Sequence, residues 1–232
     1  SSSKIILTEN IRFFNEEMKD DINFAKKIAA LGDMYINDAF SCSHRKQASV
    51  HALPSLFRES YAGPLFQREV DAIDSVISKN RHPVTCIIGG SKISTKIGVI
   101  LNLVKKVDNI VIVGAMANNF LRNKGLNIGN SLVEKNTREI VDKIFNALAD
   151  SKCNLILPKD FGVSRSFNGN KTQKDSSSIN SDEIILDIGP KTIDQIKETI
   201  ENSMTVLWNG PAGYFENKEF ATGTNEIAKK IS

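Results

Sequence analysis

Short apolar runs alternate with amphipathic runs along the chain from residue 84 onward. The apolar runs are rich in Ile, Val and Leu: VTCIIGG, NIVIVG, NLILP, EIILDIG and TVLWNG. Such runs are typical of strands that are covered on both faces, as in parallel sheets. Between them, apolar residues recur at the spacing of one helix face, at Ile93, Ile97, Ile100 and Val104; at Ile140, Ile144 and Leu148; and at Ile193, Ile196 and Ile200. This alternation predicts a doubly wound α/β domain over residues 84–232.

Residues 1–63 have a different pattern. The strand-like runs KIILTEN and DMYINDAF flank one amphipathic run, DDINFAKKIAALG, which predicts a helix that ends at Gly32. The remainder of the region is rich in loop-forming residues. Two strands and one helix are too few to build an independent core, so we expect residues 1–63 to be part of a second α/β domain.

A single helix is predicted between these regions, over residues 64–83. Pro64 suits a first helical turn, and Pro83 marks the end of the pattern. One apolar stripe runs along this helix, formed by Phe66, Val70, Ile73 and Ile77. We interpret the segment as a connector between domains. Farther along, the polar run from Phe167 to Asp182, FNGNKTQKDSSSINSD, predicts a surface loop.

Composition narrows the class of protein. The chain has 232 residues, 41% hydrophobic and 25% charged, with a net charge of +3. No block of like charge indicates a nucleic-acid arm or a membrane patch, so neither partner is expected. Cys42, Cys86 and Cys153 are far apart and form no metal-binding spacing, which favours reduced thiols. No run is long enough to span a membrane, and we expect a cytoplasmic protein.

Several predicted strands end in glycine or another turn-forming residue, at Gly89-Gly90, Gly114, Gly189 and Asn209-Gly210. In an open α/β sheet, ligands bind beyond the carboxyl ends of the strands. For any one of these strand ends, an ordinary turn is the favoured explanation. Several of them together favour a nucleotide crevice.

Lys92 and Lys96 follow the first of these turns, four residues apart. The pattern predicts that they lie in the first turns of a helix, where free amides and ammonium groups attract a phosphate. Lysines at that end oppose the helix dipole, which is unfavourable unless an anion is present. Two solvated surface lysines remain the alternative.

Three further charged residues stand beside strand ends. Glu216, in LWNGPAGYFE, is suited to accept the two hydroxyls of a ribose, or is simply a surface carboxylate on a turn. Arg12, in ENIRF, and Arg45, in NDAFSCSHRKQAS, suit a carboxylate or a phosphate, which guanidinium binds bidentately. An ordinary ion pair is the alternative for each arginine.

Taken together, these stretches resemble the phosphoglycerate kinase family. The similarity covers nearly the whole chain, in the family's order, through LTENIRFF, FAKKIAALGDMYINDAF, SHRKQAS, GGSKISTKI, GAMANNFL, LPKDF, LDIGP and LWNGPAGYFE. The resemblance implies a cytoplasmic glycolytic kinase of two domains, monomeric as a whole protein. The first domain would hold 3-phosphoglycerate or 1,3-bisphosphoglycerate, and the second, Rossmann-like domain would hold ADP or ATP with Mg²⁺.

The resemblance also implies roles for individual residues. Arg12 and Arg45 would bind the phosphate of the acid substrate. Lys96, assisted by Lys92, would hold the nucleotide phosphates and the transferred phosphoryl group, and Glu216 would bind the ribose. The adenosine pocket would be lined by Gly90, Ser91, Gly114, Leu186, Asn209 and Pro211.

The chain departs from the family pattern in several places. Ser41, Cys42 and Ser43 replace a Gly-Thr-Ala, and Val113 and Ala115 flank Gly114 where a further glycine is common. The family's first strands, with an Asp, an Asn, a further Arg and a His for the acid substrate, have no match. The chain ends at EIAKKIS, before the family's Gly-Gly-Gly-Asp-Thr segment. We therefore expect an internal piece of the kinase, inactive by itself.

Two other functions are left open by the sequence. One is a nucleotide-binding protein without turnover. The other is a Rossmann dehydrogenase, which is disfavoured because no G-x-G-x-x-G follows a strand.

Overall fold

The computed structural model describes residues 5–77 and 81–232. The chain divides into two compact units, Ser1–Ser75 and Val76–Ser232. The predicted connector, residues 64–83, contains this division, and its residues 78–80 lie outside the described part. Its role as a link between domains stays a prediction.

The first unit contains short elements only, apart from one helix that continues past residue 75. In chain order they are α1 (Asn15–Met18), α2 (Ile22–Ala29), β1 (Tyr35–Asn37), β2 (Ser60–Ala62) and α3 (Pro64–Ile77). The two strands pair in parallel, with Tyr35 opposite Ser60.

The amphipathic helix predicted in this region is α2, and Asp21 caps its start. The Asp21 side chain accepts a hydrogen bond from the Phe24 amide at 2.7 Å, which satisfies a free N–H of the first turn. The helix ends at Ala29 and not at Gly32 as predicted, because the last residues before Gly32 form a turn. A small buried cluster lies beside the helix, formed by Ala25, Ala48, Ala52 and Leu53.

The prediction of a strand at KIILTEN is wrong for those of its residues that the structure describes. Residues 5–10 have no regular secondary structure, and the side chains of Ile5 and Leu7 are 87% and 96% exposed. A strand requires a neighbour for its backbone hydrogen bonds, and no described strand pairs with this segment.

The connector pattern does form a helix, α3, but its stripe is not well buried in the described residues. Val70 and Ile73 are 36% and 38% exposed. Phe66 packs edge-on against Phe40, with ring centroids 5.4 Å apart. The helical spacing alone therefore predicted the element but not its burial.

The second unit is built on a four-stranded parallel sheet with the order β5-β4-β3-β9. Its strands are β3 (Val84–Ile88), β4 (Asn109–Ile112), β5 (Asn154–Ile156) and β9 (Thr205–Asn209). The helices of the unit are α4 (Ile97–Leu103), α5 (Ala115–Asn123), α6 (Arg138–Ala149), α7 (Pro190–Glu201) and α8 (Thr222–Ile231).

Both faces of this sheet are covered. Every residue of β3 is buried. Its Val84, Cys86 and Ile88 join one apolar cluster with residues of α4, α5 and α6, whereas Ile87 joins a second cluster with residues of α7 and α8. This confirms the doubly wound α/β class that the apolar runs predicted.

A second, three-stranded antiparallel sheet has the order β7-β6-β8. Its strands are β6 (Asp160–Ser164), β7 (Thr172–Asp175) and β8 (Ile184–Ile188). Two expectations are corrected here. The run EIILDIG, read as a parallel strand, forms β8 and pairs antiparallel with β6. The predicted loop from Phe167 to Asp182 contains β7, an edge strand whose residues are mostly exposed and therefore polar.

Candidate functional site

Three strand ends of the parallel sheet meet at a tightly packed glycine cluster. The Gly89 amide donates to the Asn209 carbonyl at 2.7 Å, and a Cβ on Gly89 would lie 2.1 Å from the Pro211 carbonyl oxygen. Gly114 has φ +66°, and a Cβ there would lie 3.0 Å from both the Pro211 carbonyl oxygen and the Gly90 nitrogen. Glycine is therefore required for these turns to approach one another.

A cavity of about 310 Å³ opens beside this cluster, in the second unit. It lies between the carboxyl ends of the parallel strands and the antiparallel sheet. Apolar side chains and backbone form most of its wall. The lining residues include Ala115, Ala117, Asn118, Leu132, Pro158, Phe161, Phe167, Ile184, Ile185, Asp187, Ile188, Ala212, Gly213 and Tyr214.

The cavity brings together most of the residues that the sequence proposed for a nucleotide. Gly90, Ser91, Gly114, Leu186, Pro211 and Glu216 all line it. Asn209 does not line it but precedes the lining turn directly. The two flanking departures differ in position, since Ala115 lines the cavity whereas Val113 is completely buried.

The two lysines lie outside the cavity lining, and their predicted position on a helix is corrected. The helix α4 begins only at Ile97, so Lys92 lies in the preceding turn and Lys96 at the N-cap. They are therefore not stacked on one helix face. Lys96 Nζ donates to Asn209 Oδ1 at 2.8 Å, which places its ammonium group at the carboxyl end of β9. The lysine thus remains at the edge of the sheet that carries the cavity.

The turn that follows β9 is fastened at both ends. Trp208 Nε1 donates to the Gly210 carbonyl at 2.7 Å, and Gly210 adopts φ +87°. The Tyr214 amide donates to the Leu186 carbonyl, also at 2.7 Å. These bonds hold the turn against β8, so that Glu216 reaches the cavity.

A buried ion pair in the cavity wall was missed by the sequence reasoning. Lys171 Nζ lies 2.7 Å from Asp187 Oδ2, and the Asp187 side chain is fully buried. Burial raises the pKa of the Asp187 carboxyl, while Lys171 and the Gly223 amide oppose that shift. The carboxylate also accepts from the Gly223 amide at 3.1 Å. Asp187 thereby joins β8, the segment before β7 and the start of α8.

An aromatic pair was also missed. Phe167 and Tyr214 meet edge-on, with ring centroids 5.3 Å apart, and both line the cavity. Asn217 Nδ2 donates to the Phe167 carbonyl at 2.9 Å, which ties the predicted loop to the turn after β9. In the sequence, Phe167 stands as a lone aromatic residue in a polar run and Tyr214 lies in the motif LWNGPAGYFE, but no local pattern joins these distant segments.

The two arginines lie in the first unit, and both are exposed. The Arg12 amide donates to Asn10 Oδ1 at 3.0 Å, so Arg12 lies within a short 3₁₀ turn, Ile11–Phe13, that Asn10 caps. Within the described residues, neither guanidinium group forms an ion pair. Their part in an acid-substrate site stays a prediction.

Residues 5–77 and 81–232 contain neither a cluster of metal-ligating side chains nor a membrane-spanning helix. There, no group of three His, Cys, Asp or Glu side chains is placed to hold a metal ion. No helix in the same ranges combines the length and apolar character needed to cross a bilayer.

An α/β protein with a doubly wound sheet and an apolar cavity at the strand ends belongs to the broad class of nucleotide-binding folds. The particular family follows from comparison with known proteins. A sequence profile of the phosphoglycerate kinase family matches residues 1–232, and the chain belongs to that family.

Individual relatives agree with this family. The phosphoglycerate kinase of Wolbachia pipientis (strain wPip) is 43% identical over 230 residues, which are 98% of this chain and 58% of the relative. The phosphoglycerate kinase of Chelativorans sp. is 44% identical over 227 residues, 97% of this chain and 57% of the relative. The chain thus spans less than two thirds of the length of these relatives.

Solved structures of phosphoglycerate kinases have the same fold as this chain. Phosphoglycerate kinase from Coxiella burnetii matches with a TM-score of 0.82 at 34% identity, over 96% of this chain and 58% of that protein. The enzyme from Pyrococcus horikoshii matches with a TM-score of 0.76 at 28% identity, over the same shares.

Proposed function

We propose that this chain is the nucleotide-binding part, with a portion of the acid-substrate part, of a phosphoglycerate kinase. The reaction is reversible phosphoryl transfer between 1,3-bisphosphoglycerate and ADP, which yields 3-phosphoglycerate and ATP. The observation that carries the proposal is the cavity at the carboxyl ends of the parallel strands. It gathers six residues that the family resemblance had assigned to adenosine and ribose.

The cavity suits the nucleoside half of the nucleotide. Its apolar wall, which includes Leu132 and Leu186, offers contact area to a flat base. The Phe167–Tyr214 pair forms another part of the wall. Glu216 supplies the acceptor for the ribose hydroxyls. Gly90 and Gly114 carry no side chain that would fill the space above the turns.

The phosphates would lie toward the two lysines. Lys96 is held at the end of β9 by Asn209, and its ammonium group has further hydrogen-bond donors free for a phosphate oxygen. Phosphoryl transfer depends on positioning and on stabilising the charge of the migrating group, and cationic side chains serve both needs. Lys92 adds a second positive charge in the same turn.

Mg²⁺ would arrive with the nucleotide as part of the substrate. The described residues offer no cluster of protein ligands for a resident metal ion, so the phosphates themselves would be its main ligands. Arg12 and Arg45 would bind the phosphate of the acid substrate in the first unit. ADP, ATP and the two phosphoglycerates are the small-molecule partners in this proposal.

The proposal is tested by titrating the 232-residue chain with ADP in a calorimeter. We expect binding, and we expect Lys96→Met to weaken it by about tenfold or more, because a charge-assisted hydrogen bond is lost. Lys105→Met is the matched control, since Lys105 is exposed in the turn after α4. Absence of ADP binding, or equal losses in both variants, would contradict the proposal.

Turnover distinguishes the kinase from a nucleotide-binding protein without catalysis. The chain covers only 58% of the length of a relative such as the Wolbachia enzyme, so nucleotide binding without catalysis remains open for this stretch. Correct positioning of two reactants supplies about 7–11 kcal/mol of barrier reduction, and it requires both halves of the cleft. In a coupled assay we therefore expect ADP binding without turnover from this stretch alone, and turnover from a protein with the full length of the relatives.

A further inference from the structure

Glu134 makes a two-point contact with the turn that carries the lysines. One carboxylate oxygen of Glu134 accepts from the Ser94 amide at 3.0 Å, and the other accepts from the Ser94 hydroxyl. Ser94 lies midway between Lys92 and Lys96 in the turn before α4. The contact joins residues forty positions apart and occupies both oxygens of the carboxylate.

The backbone of Glu134 is itself fixed by α5. Its amide donates to Asn119 Oδ1 at 3.1 Å, and its carbonyl accepts from Arg122 Nη2 at 3.2 Å. Thr137 Oγ1 donates to the same carbonyl at 3.2 Å. Asn119 and Thr137 are almost fully buried, so this anchor belongs to the rigid part of the second unit.

The charge of Glu134 matches this arrangement. Hydrogen bonds from Ser94 lower the pKa of the Glu134 carboxyl, and the nearby charge of Lys92 adds to the effect. The group is therefore ionised at neutral pH. Its contact with Ser94 restrains the turn, while the Lys96 ammonium group donates to Asn209.

The anchor connects the cavity with the lysines. Helix α5 starts at Ala115, which lines the cavity together with the N-cap Gly114, and carries Asn119 and Arg122 to Glu134. Glu134 in turn fixes the Ser94 turn. The wall of the cavity and the lysine turn are thereby linked through Glu134 by a chain of hydrogen bonds.

We infer that Glu134 is a positioning residue, which acts through Ser94 to hold Lys92 and Lys96 in place for the phosphates of a nucleoside diphosphate. The inference rests on the proposed function, because it requires a nucleotide whose base lies in the cavity. It assigns Glu134 no direct contact with the ligand. Its effect should therefore appear for ligands with phosphates and not for the nucleoside alone.

The test compares ADP with adenosine on the 232-residue chain, by calorimetry or by NMR titration. We expect Glu134→Ala to weaken ADP binding by about tenfold, because the lysine turn loses two charge-assisted hydrogen bonds. Adenosine affinity should stay unchanged. Ser94→Ala should weaken ADP binding in the same direction and by less, since the Ser94 amide still contacts the carboxylate.

Two further variants keep the test decisive. Glu139→Ala, on the exposed face of α6, is the matched control and should change neither affinity. If Glu134→Ala does not fold, Glu134→Gln replaces it, because the isosteric amide keeps one acceptor for Ser94. For that variant we expect about a threefold loss of ADP affinity at constant adenosine affinity.

Two outcomes overturn the inference. Equal losses for ADP and adenosine would mean that Glu134 is merely structural, and unchanged ADP affinity would mean that the lysine turn does not need it. A third outcome is separate: a wild-type chain that binds ADP no more tightly than adenosine has no phosphate site. That result would overturn the proposed function, and this inference with it.

Discussion

The two units of the chain bury apolar residues to very different degrees. In the second unit, all of β3 is buried, and apolar clusters cover both faces of the parallel sheet. In the first unit, the buried cluster consists of three alanines and Leu53. Many of its larger apolar side chains are exposed, including Ile5, Ile6, Leu7, Phe13, Leu31, Met34 and Ile36.

This difference indicates where stability resides. Burial of apolar surface is the main favourable contribution to folding, so the second unit has the larger driving force. The first unit compensates in part with polar contacts, such as Ser49 Oγ donating to buried Glu17 at 2.6 Å. A hydrogen bond to a charged group of this kind contributes about 1.5–3 kcal/mol. We therefore expect the two units to respond separately to mutation.

The largest effect is expected from truncation in the core of the second unit. Ile196 on α7 is completely buried, and Ile196→Ala should destabilise this unit by about 2–5 kcal/mol through lost contacts and a cavity. Urea denaturation followed by Trp208 fluorescence measures this change. Trp208 is the only tryptophan and lies on β9, so it reports on the second unit.

Leu53→Ala provides the comparison in the first unit. Leu53 is buried in the small cluster, so its truncation should loosen that unit, measured by faster amide exchange near Ala48 and Ala52. The transition of Trp208 should stay in place. A shift of that transition equal to the one caused by Ile196→Ala would show that the units unfold as one body.

Sequence reasoning succeeded where one local pattern determines the structure. The unbroken apolar runs of β3 and β9 predicted buried strands, and both lie in the parallel sheet, but only β3 is buried throughout, since β9 lies at the sheet edge and is half-buried. The same rule was wrong for β8, because an antiparallel strand between packed layers has the same composition as a parallel one. The partner strand β6, which decides the direction, begins with Asp160 and gave no comparable signal.

The candidate site was predicted in part for the same reason. Glycines at strand ends are visible in a sequence, whereas the Lys171–Asp187 pair depends on a contact between distant segments. The helix start near Lys92 was misplaced because the apolar spacing from Ile93 to Ile97 continues through a non-helical turn. Ile93 is buried there, and its carbonyl accepts from the Lys96 and Ile97 amides.

A smaller effect is expected at the glycine cluster, which sharpens the link between core and site. Gly89→Ala would place a methyl group 2.1 Å from the Pro211 carbonyl oxygen, so backbone must shift. We expect a loss of about 1–3 kcal/mol in the stability of the second unit, together with weaker ADP binding. Thermal unfolding and ADP titration measure the two quantities.

Gly98→Ala is the control for that change. Gly98 lies in α4 with nothing near the added methyl group, so the substitution should stabilise the helix by about 0.5–1 kcal/mol. ADP binding should not change. If both variants were destabilised alike, the close approach of the strand ends would not explain the glycine at position 89.

The smallest effect concerns a half-buried ion-pair network that joins α7 and α8. Glu226 contacts Lys197, and it also accepts from Lys229 at 3.0 Å. Hydrogen bonds from these two lysines lower the pKa of Glu226 from 4.5 to about 2.

A carboxyl group with a lowered pKa in the folded state stabilises the fold above its unfolded pKa, and this contribution is lost as the pH falls from about 4.5 toward 2. Glu226→Gln should therefore reduce the melting temperature slightly at pH 7, and this difference should shrink to a small remainder near pH 2, where Glu226 of the folded protein is about half protonated. Because solvent still reaches these partly exposed groups, added salt should diminish the difference at pH 7. Glu198→Gln, an exposed change on α7, should give the same melting curve as the wild type at every pH. A wild-type and Glu226→Gln difference that was as large at pH 2 as at pH 7, or that grew with salt, would contradict an electrostatic origin and would assign Glu226 a packing role between the two helices.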